Sequence, residues 1–316
     1  MKIEIMKKVH FSTPLVVFCL TMMAWLGFFI GKPEIEFMGV FQNITSEMTF
    51  RGIMGLGVLL SILTAGIDLS VGSLLAVVNV SFAMMITHGV PLPWAILFSL
   101  LTAMVCGQIN GVLIFDLKLP PFIATLGMMI VLRGVAQIIS HSQTVSGLPK
   151  YISAFGQATL LGLPVLFWIL LGLMLLLQAM LHKTSFGRYI YAIGSNAEAA
   201  RLSGINTRMV MYGVYVLNAA LVGVAGILYT CYTNTGSPTA GTAYELDAIA
   251  AAVLGGASLS GAEGSAIGVF IGALLVATIQ TFCVLLGVGP EETKLLIGLI
   301  IIVAVSVDQI AARRRA

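Results

Sequence analysis

Residues 60–80 read LSILTAGIDLSVGSLLAVVNV, two apolar runs separated by a short segment that carries Gly66 and Asp68. An ionised aspartate in the middle of a lipid-facing helix costs about 2.5 to 3.5 kcal/mol on insertion scales. Asp68 is therefore expected at a helix break, at a helix boundary or in a cavity lined by protein. The sequence predicts a break near Gly66 and a new helix that starts near residue 70, with Asp68 or Ser70 accepting hydrogen bonds from its first amides.

Two roles for Asp68 fit this position: the carboxylate caps the helix that starts near residue 70, or it shapes or gates a solute path through a broken helix. Other polar residues within or at the edges of the apolar runs supply hydrogen bonds that either join helices or contact a hydroxylated solute. The candidates for such a path or gate are Asp68, Ser70, Asn79, Asn110, Thr125 and Asn218.

The composition of the 316-residue chain is that of an integral membrane protein. Hydrophobic residues make up 59% and charged residues 9%, against about 45–50% and about 25% in soluble domains. We expect an all-α polytopic membrane protein with about ten transmembrane helices in a single domain, residues 1–316. The predicted spans are 14–31, 50–66, 70–88, 94–115, 121–140, 160–181, 209–232, 245–259, 264–287 and 294–311. Those starting near 50 and 245 are short or rich in glycine, so either is a candidate for a re-entrant or broken helix.

Basic residues predict the orientation of these spans. Lys and Arg accumulate in cytoplasmic loops, and placing both termini in the cytoplasm puts most of the 16 basic residues on that side: Lys2, Lys7, Lys8, Lys118, Lys183, Arg188, Arg201, Arg208, Arg313, Arg314 and Arg315. They flank apolar runs instead of forming a stripe, so no nucleic-acid partner is expected. The first run lacks a small-residue cleavage site, and we expect it to remain as a membrane helix.

Cysteine and histidine show no metal-binding spacing. The four cysteines fall within or at the ends of apolar runs without a CxxC pair, and the four histidines lie near predicted span ends. No metal site is therefore expected. A GxxxxGK[ST] loop is absent from the sequence, so the chain alone is not expected to bind ATP or to act as an enzyme.

Other residues suggest packing and surface contacts. Gly264, Gly268 and Gly272 form two overlapping GxxxG steps, which predict close helix packing or a dimer seam. Glu245 and Asp247 follow a polar stretch predicted to be extracellular, where they either cap the next helix or meet a partner protein. Arg133 is expected to reach an interface or form an internal ion pair, with contact to a solute as the alternative.

The longest polar connection predicted in the cytoplasm is HKTSFGRYIYAIGSNAEAARLSGINTR, residues 182–208. Asn196 is suited to cap a short helix over residues 197–203, and Gly204 to end it in the left-handed conformation. A short helix with small residues on one face, placed between two spans, is typical of a docking element for another protein. A plain connector with a helical turn is the alternative.

The run EAARLSGI, residues 198–205, resembles the EAA loop of bacterial ABC-importer permeases. Further blocks resemble the ribose-type sugar permease subunits of these importers, in the same order along the chain. These blocks are GIDLSVGSLLA (66–76), PFIATLGMMIVLRGV (121–135), TSFGRYIYAIGSNAEAARLSGIN (184–206), SPTAGTAYELDAIAAAVLGGASLSG (237–261) and LLIGLIIIVAV (295–305).

The resemblance implies a permease subunit in the bacterial inner membrane that carries ribose or a related monosaccharide. It also implies three partners: a cytoplasmic ABC ATPase that binds ATP and Mg²⁺, a periplasmic sugar-binding protein, and a second permease subunit, identical or related. By the same resemblance, Glu198, Ala199, Ala200 and Gly204 are the ATPase-docking residues in the coupling loop 182–208.

Other transport functions stay open at the level of sequence. Members of the wider family carry nucleosides or other small polar solutes, and amino acids are a further candidate cargo. In an ion-coupled secondary transporter, Asp68, Glu245 or Asp247 would bind the ion. A passive solute channel is the remaining class.

Overall fold

The structure, a computed structural model, describes residues 13–289, 291–300 and 302. In this part of the chain the elements are α1 (Thr13–Gly31), α2 (Phe37–Leu63), α3 (Val71–Thr87), α4 (Leu92–Phe115), α5 (Pro121–Ile139), α6 (Lys150–Gly156), β1 (Thr159–Leu160), β2 (Leu163–Pro164), α7 (Val165–Lys183), α8 (Ser185–Ser195), α9 (Ala197–Leu202), α10 (Thr207–Thr233), α11 (Tyr244–Leu254) and α12 (Ala266–Leu285). Strands β1 and β2 form a small antiparallel hairpin, and residues 291–300 are helical.

Among the described helices, seven are long and apolar enough to cross a membrane: α1, α2, α4, α5, α7, α10 and α12. Helix α3 has 17 residues and α11 has 11, fewer than the roughly 20 that a full crossing needs. Of the predicted span 294–311, residues 301 and 303–311 lie outside the described residues, as do Lys2, Lys7, Lys8 and Arg313 to Arg315. The helical, polytopic character is confirmed, whereas the count of about ten and the cytoplasmic termini stay predictions.

The predicted start of the second span is wrong. Helix α2 runs without interruption from Phe37 to Leu63, so it is neither broken nor confined to residues 50–66. In its polar first half, the hydroxyls of Thr45 and Thr49 are satisfied by donating to backbone carbonyls four residues earlier, at 2.9 and 2.8 Å. Other helices enclose α2 almost completely, so these polar residues do not face lipid.

The predicted break between α2 and α3 is present. Helix α2 ends at Leu63, residues 64–70 are not helical, and α3 begins at Val71. The capping expectation is wrong in detail, because neither Asp68 nor Ser70 accepts from the first amides of α3. Instead Asp68 Oδ1 accepts from the Ser70 N–H at 2.8 Å, which closes a local turn ahead of the helix.

Helices α2 and α10 form the centre of the bundle and run antiparallel. The Phe50 ring packs edge-on against Tyr229, with 5.2 Å between the ring centroids. Further along α2, Ser61 meets Asn218, which lies nearer the start of α10. The two helices therefore meet through an aromatic contact at one level and a polar contact at another.

Each short helix packs along the long helix of the other half. Helix α3 follows α2 in sequence but lies parallel to α10, where Asn79 bonds Thr230. Helix α11 follows α10 but lies parallel to α2, where Asp247 bonds Arg51. We call this arrangement the crossed pairing, and it brings the starts of α3 and α11 together: a side-chain carbon on Gly72 would collide with the Glu245 carboxylate.

Candidate functional site

Asp68 is the centre of a buried polar network that joins the break to α4 and α10. The residue is 3% exposed. Its Oδ1 accepts from the Ser70 hydroxyl at 2.6 Å and its Oδ2 from Asn218 Nδ2 at 2.8 Å, while Asn110 Nδ2 donates to the Ser70 hydroxyl at 2.9 Å. Four of the six predicted path or gate residues therefore meet in one network, in which the carboxylate receives donors from the break itself and from α10.

Glycine makes the approach of α10 to α2 possible at this network. A side-chain carbon built on Gly57 would overlap the side-chain oxygen of Asn218, so any larger residue at position 57 would push the amide away from Asp68. Gly66 lies in the same way against the Tyr215 hydroxyl. The two glycines explain how a carboxylate between two apolar runs reaches a partner on a distant helix.

The remaining two predicted path residues lie apart from each other. Asn79 joins α3 to the segment after α10: its Nδ2 donates to the Thr230 hydroxyl at 2.7 Å, and its Oδ1 accepts from Ser237 N at 2.6 Å. Thr125 donates to the backbone carbonyl of Ile67 at 3.0 Å, which fixes the break against α5. Both side chains thus hold backbone segments in place.

A second buried charge cluster lies between α2 and α11. Arg51 is 8% exposed, its Nε donates to Asp247 Oδ2 at 2.8 Å, and its NH1 donates to the Glu47 carboxylate. The guanidinium lies over the Tyr244 ring at 4.6 Å from the centroid, and Gln280 Nε2 donates to the same oxygen of Asp247 at 3.2 Å. Each charge in the cluster is offset by a partner, as buried charges require.

This cluster forms one wall of a cavity of about 600 Å³. The other walls come from α12 and from the helical residues 291–300, which contribute Val284, Ile297 and Lys294. The cavity combines polar side chains on one side with apolar side chains on the other. Its volume is in the range of about 300–1,000 Å³ that is usual for small-molecule sites.

Glu245 is not the exposed surface group that one of the predictions expected, and Arg133 bonds the backbone instead of a carboxylate among the described residues. Arg133 donates to the backbone carbonyls of Pro238 and Ala240, both at 2.8 Å. Glu245 turns one carboxylate oxygen into the protein, where it has no hydrogen-bond partner among the described residues. Asp247 is also part of the interior, since its side chain pairs with Arg51.

The coupling loop 182–208 contains two short helices, of which the sequence predicted only the second. Thr184 caps α8 by accepting from Gly187 N at 3.2 Å, and Asn196 caps α9 by accepting from Ala199 N at 2.9 Å. Gly204 follows α9 with a φ of +87°, the left-handed conformation that glycine adopts readily. The loop is therefore a defined helix-turn-helix and not an irregular connector.

The four predicted docking residues differ in exposure. Glu198, Ala199 and Gly204 are exposed, whereas Ala200 is 5% exposed and belongs to the core. Glu198 accepts from the Arg201 guanidinium at 2.6 and 3.0 Å, and this hydrogen bond holds the pKa of Glu198 below its usual range. Three of the residues thus present a surface, and Ala200 anchors α9 to the bundle.

Helix α8 packs against the end of α2. A side-chain carbon on Gly194 would collide with the backbone carbonyl of Leu63, which also accepts from Ala262 N at 3.0 Å. Tyr191 donates its hydroxyl to the carbonyl of Gly264 at 2.8 Å. The coupling loop, the end of α2 and the segment between α11 and α12 therefore share one contact.

The glycines of the GxxxG steps face the neighbouring helix of the same chain. A side-chain carbon on Gly268 would collide with the Gly255 carbonyl, and one on Gly272 with the Ala251 carbonyl. Gly264 lies against Leu59 with a φ of +146°. Within the described residues, these contacts bring α11 and α12 together.

No group of three or more His, Cys, Asp or Glu side chains in the described part of the chain is arranged to hold a metal ion. Arg51 and Asp247 are instead paired with each other, and Asp68 is bonded to neutral donors.

Comparison with known proteins identifies the family. The family model described as "Branched-chain amino acid transport system / permease component" matches residues 40–305. The chain belongs to this permease family. It is a multi-pass permease of the bacterial inner membrane, and the resemblance of its motif blocks to ABC-importer permeases is confirmed.

Three relatives show what kinds of permease the chain is similar to. The ribose import permease protein RbsC of Escherichia coli (strain K12) is 40% identical over 270 residues, 84% of each chain. The fructose import permease protein FrcC of Rhizobium meliloti is 35% identical over 309 residues, 94% of this chain and 85% of the relative. The autoinducer 2 import system permease protein LsrC of Salmonella choleraesuis is 35% identical over 277 residues, which are 87% of this chain and 80% of the relative. No solved structure matches the chain.

The permease contains one charge cluster that sequence reasoning missed. Arg51 lies inside a predicted span, one helical turn after Glu47, and a charged residue at such a position is itself a signal of function or internal pairing. The pairing with Asp247 joins residues that are 196 positions apart, so the sequence alone does not indicate the partner.

Proposed function

We propose that this permease subunit forms the membrane path of an ATP-driven ABC importer for a monosaccharide such as ribose. The observation that carries the proposal is the similarity, at 35–40% identity over most of the chain, to permeases named for ribose and fructose import. The description of the family model favours a second candidate cargo, a branched-chain amino acid. In either case the chain supplies the path, and a partner supplies the ATPase activity.

We propose a topology of ten crossings with both termini in the cytoplasm. Helices α3 and α11 each count as one crossing because each is preceded by a non-helical segment that returns into the bundle, residues 64–70 and 234–243. Lys183, Arg188, Arg201 and Arg208 all lie in or beside the coupling loop. Their accumulation at one end of the bundle supports a cytoplasmic location for that end.

We propose that the ATPase docks on α9 and that α8 transmits its motion. Leu202 is 74% exposed and, together with Glu198, Ala199 and Gly204, offers an apolar surface next to a charged one. Ala200 ties α9 to the core, and Gly194 presses α8 against the end of α2. Motion of α9 thereby has a direct mechanical route to the break that holds Asp68. ATP and Mg²⁺ bind to the ATPase in this scheme.

In this scheme the Asp68 network acts as a gate. Asp68, Ser70, Asn110 and Asn218 link the break to two neighbouring helices, so a shift of α2 at Leu63 changes which donors the carboxylate meets. Asn79 and Thr125 hold the adjoining backbone and keep the shift local. A periplasmic sugar-binding protein and a second permease subunit, identical or related, complete the assembly.

The test is uptake by proteoliposomes that contain the permease, its ATPase and its binding protein. Uptake of radiolabelled D-ribose or D-fructose that requires ATP inside the vesicles supports the proposal. ATP-dependent uptake of L-leucine without sugar uptake would show that the cargo is a branched-chain amino acid instead of a sugar. Uptake by the permease alone under a proton or sodium gradient would refute the ABC mechanism.

A further inference from the structure

The Arg51 cluster lies at mid-depth of the bundle. Arg51 is the fifteenth of the 27 residues of α2, so it lies about 20 Å from either end of that helix. Helix α11 starts at this level, with Tyr244, Glu245 and Asp247 in its first turn. Substrate sites of transporters are commonly formed near the bilayer midplane at the ends of discontinuous helices.

The charged side chains that line the cavity already have ionic partners. Arg51 pairs with Glu47 and Asp247, and Lys294, which is itself exposed, pairs with Glu291 at 3.2 Å. The lining therefore has no unpaired base to hold an anionic solute, and an uncharged solute fits this paired arrangement better.

Both carboxylates keep an oxygen that is free to accept. Arg51 and Gln280 both donate to Oδ2 of Asp247, and Arg51 donates to Oε2 of Glu47. Within the described residues, no group donates to Oδ1 of Asp247 or to Oε1 of Glu47. A carboxylate accepts strong hydrogen bonds from hydroxyl groups, so two such oxygens in one cavity suit a molecule with several hydroxyls.

Neither bidentate face of the Arg51 guanidinium is free for a carboxylate ligand. Its Nε bonds Asp247 and its NH1 bonds Glu47. Each bidentate face of a guanidinium uses two of its three nitrogens, and here each face includes a nitrogen that is already engaged by the protein. An amino acid would therefore find no free fork for its carboxylate in this cavity.

We propose that this cavity is a solute site of the permease for an uncharged polyhydroxylated molecule of monosaccharide size, with Glu47 and Asp247 as hydroxyl acceptors and Gln280 as the side chain that orients Asp247. Arg51 holds both carboxylates in place through its Nε and NH1 hydrogen bonds. The inference rests on the proposed function, because it assigns the place at which the imported sugar is held within the membrane.

The experiment measures equilibrium binding of radiolabelled D-ribose and D-fructose to the permease–ATPase complex in nanodiscs, without the binding protein. Wild type is expected to bind at least one of them saturably. Glu47→Ala removes an acceptor and is expected to weaken binding by about tenfold or more, the equivalent of one lost charge-assisted hydrogen bond. Thr281→Trp fills the cavity and is expected to weaken binding by about the same factor or more. L-Leucine serves as the probe for the rival ligand class.

A matched control separates loss of the site from loss of the fold. Gln280→Leu, inside the cavity, is expected to weaken binding, while the same change at the exposed Gln137 on α5 is expected to leave it unchanged. Size-exclusion profiles and co-purification with the ATPase report folding for every variant. Folded cavity variants that bind the sugar like wild type would overturn the inference, as would saturable binding of L-leucine alone.

The uptake assay distinguishes this inference from the proposed function. If wild-type proteoliposomes import D-ribose or D-fructose with ATP and the folded cavity variants import and bind it equally well, the cavity is not the site and the function stands. If wild type neither imports nor binds either sugar, the proposed cargo and the cavity assignment both fall.

Discussion

Gly194 lies directly against the backbone carbonyl of Leu63, with no room for a side-chain carbon between them. The contact joins the coupling loop to the last residue of α2, five positions before Asp68. Because backbone atoms form both sides of this contact, a side chain introduced at position 194 has no flexible neighbour to displace. The position therefore tests whether the coupling loop controls the break.

For Gly194→Val we expect sugar uptake to fall by about tenfold or more, because the added carbons push α8 away from α2. ATP hydrolysis by the complex is expected to continue, since the exposed residues of α9 are unchanged. The measurement is uptake and hydrolysis in the same proteoliposomes. Gly172→Val is the control, because open space surrounds Gly172; an equal loss of uptake in both variants would contradict the contact's role.

For Asp68→Ala we expect a marked loss of stability. The change leaves the Ser70 hydroxyl and the Ser70 amide without their acceptor, at about 1–3 kcal/mol for each unsatisfied buried group. The Asn218 amide loses one of its two acceptors and keeps Ser61. Asp68→Asn keeps an acceptor oxygen and is expected to destabilise less. Thermal unfolding of the purified permease measures both, and a melting temperature of Asp68→Ala equal to wild type would show that the network is not stabilising.

Replacing Arg51 by methionine leaves Asp247, whose side chain is 16% exposed, without its counter-charge. The Glu47 side chain is 38% exposed and is affected less. Removing one partner of a buried ion pair costs about 3–5 kcal/mol, whereas replacing the pair by apolar residues is often neutral. We therefore expect Arg51→Met to be far less stable than the triple variant Arg51→Met, Asp247→Leu, Glu47→Leu. The same thermal measurement tests this order of stability. A triple variant that is no more stable than Arg51→Met would contradict the coupling between these charges.

Charge reversal at Glu198 is expected to weaken ATPase binding. Glu198→Lys breaks the pair with Arg201 and places two like charges on α9. Because Arg201 lowers the pKa of Glu198, the pair is present at neutral pH and is lost only as pH falls through that lowered pKa. The measurement is the recovery of the ATPase in pull-downs, and Lys150→Glu on α6 is the control. Unchanged recovery for Glu198→Lys would show that Glu198 is not part of the docking surface.

The sequence was informative where the signal is local. Gly66 with Asp68 predicted a helix break, and Asn196 with Gly204 predicted the limits of α9, because caps and left-handed glycines depend on near neighbours. The start of α2 and the pair Arg51–Asp247 were missed because both depend on which helices enclose them. A polar helix such as the first half of α2 is stable in the bundle only through this enclosure, which no local pattern records.

The crossed pairing also makes the two halves of the chain depend on each other during biosynthesis. When α3 leaves the ribosome, Thr230, the partner of Asn79, is still 151 residues away, and Asn218, the partner of Asp68, is 150 residues away. The amino-terminal half therefore holds unpaired polar groups until α10 has been made. Neither half of the polypeptide contains all the partners of its own short helix, so the two halves have to mature together.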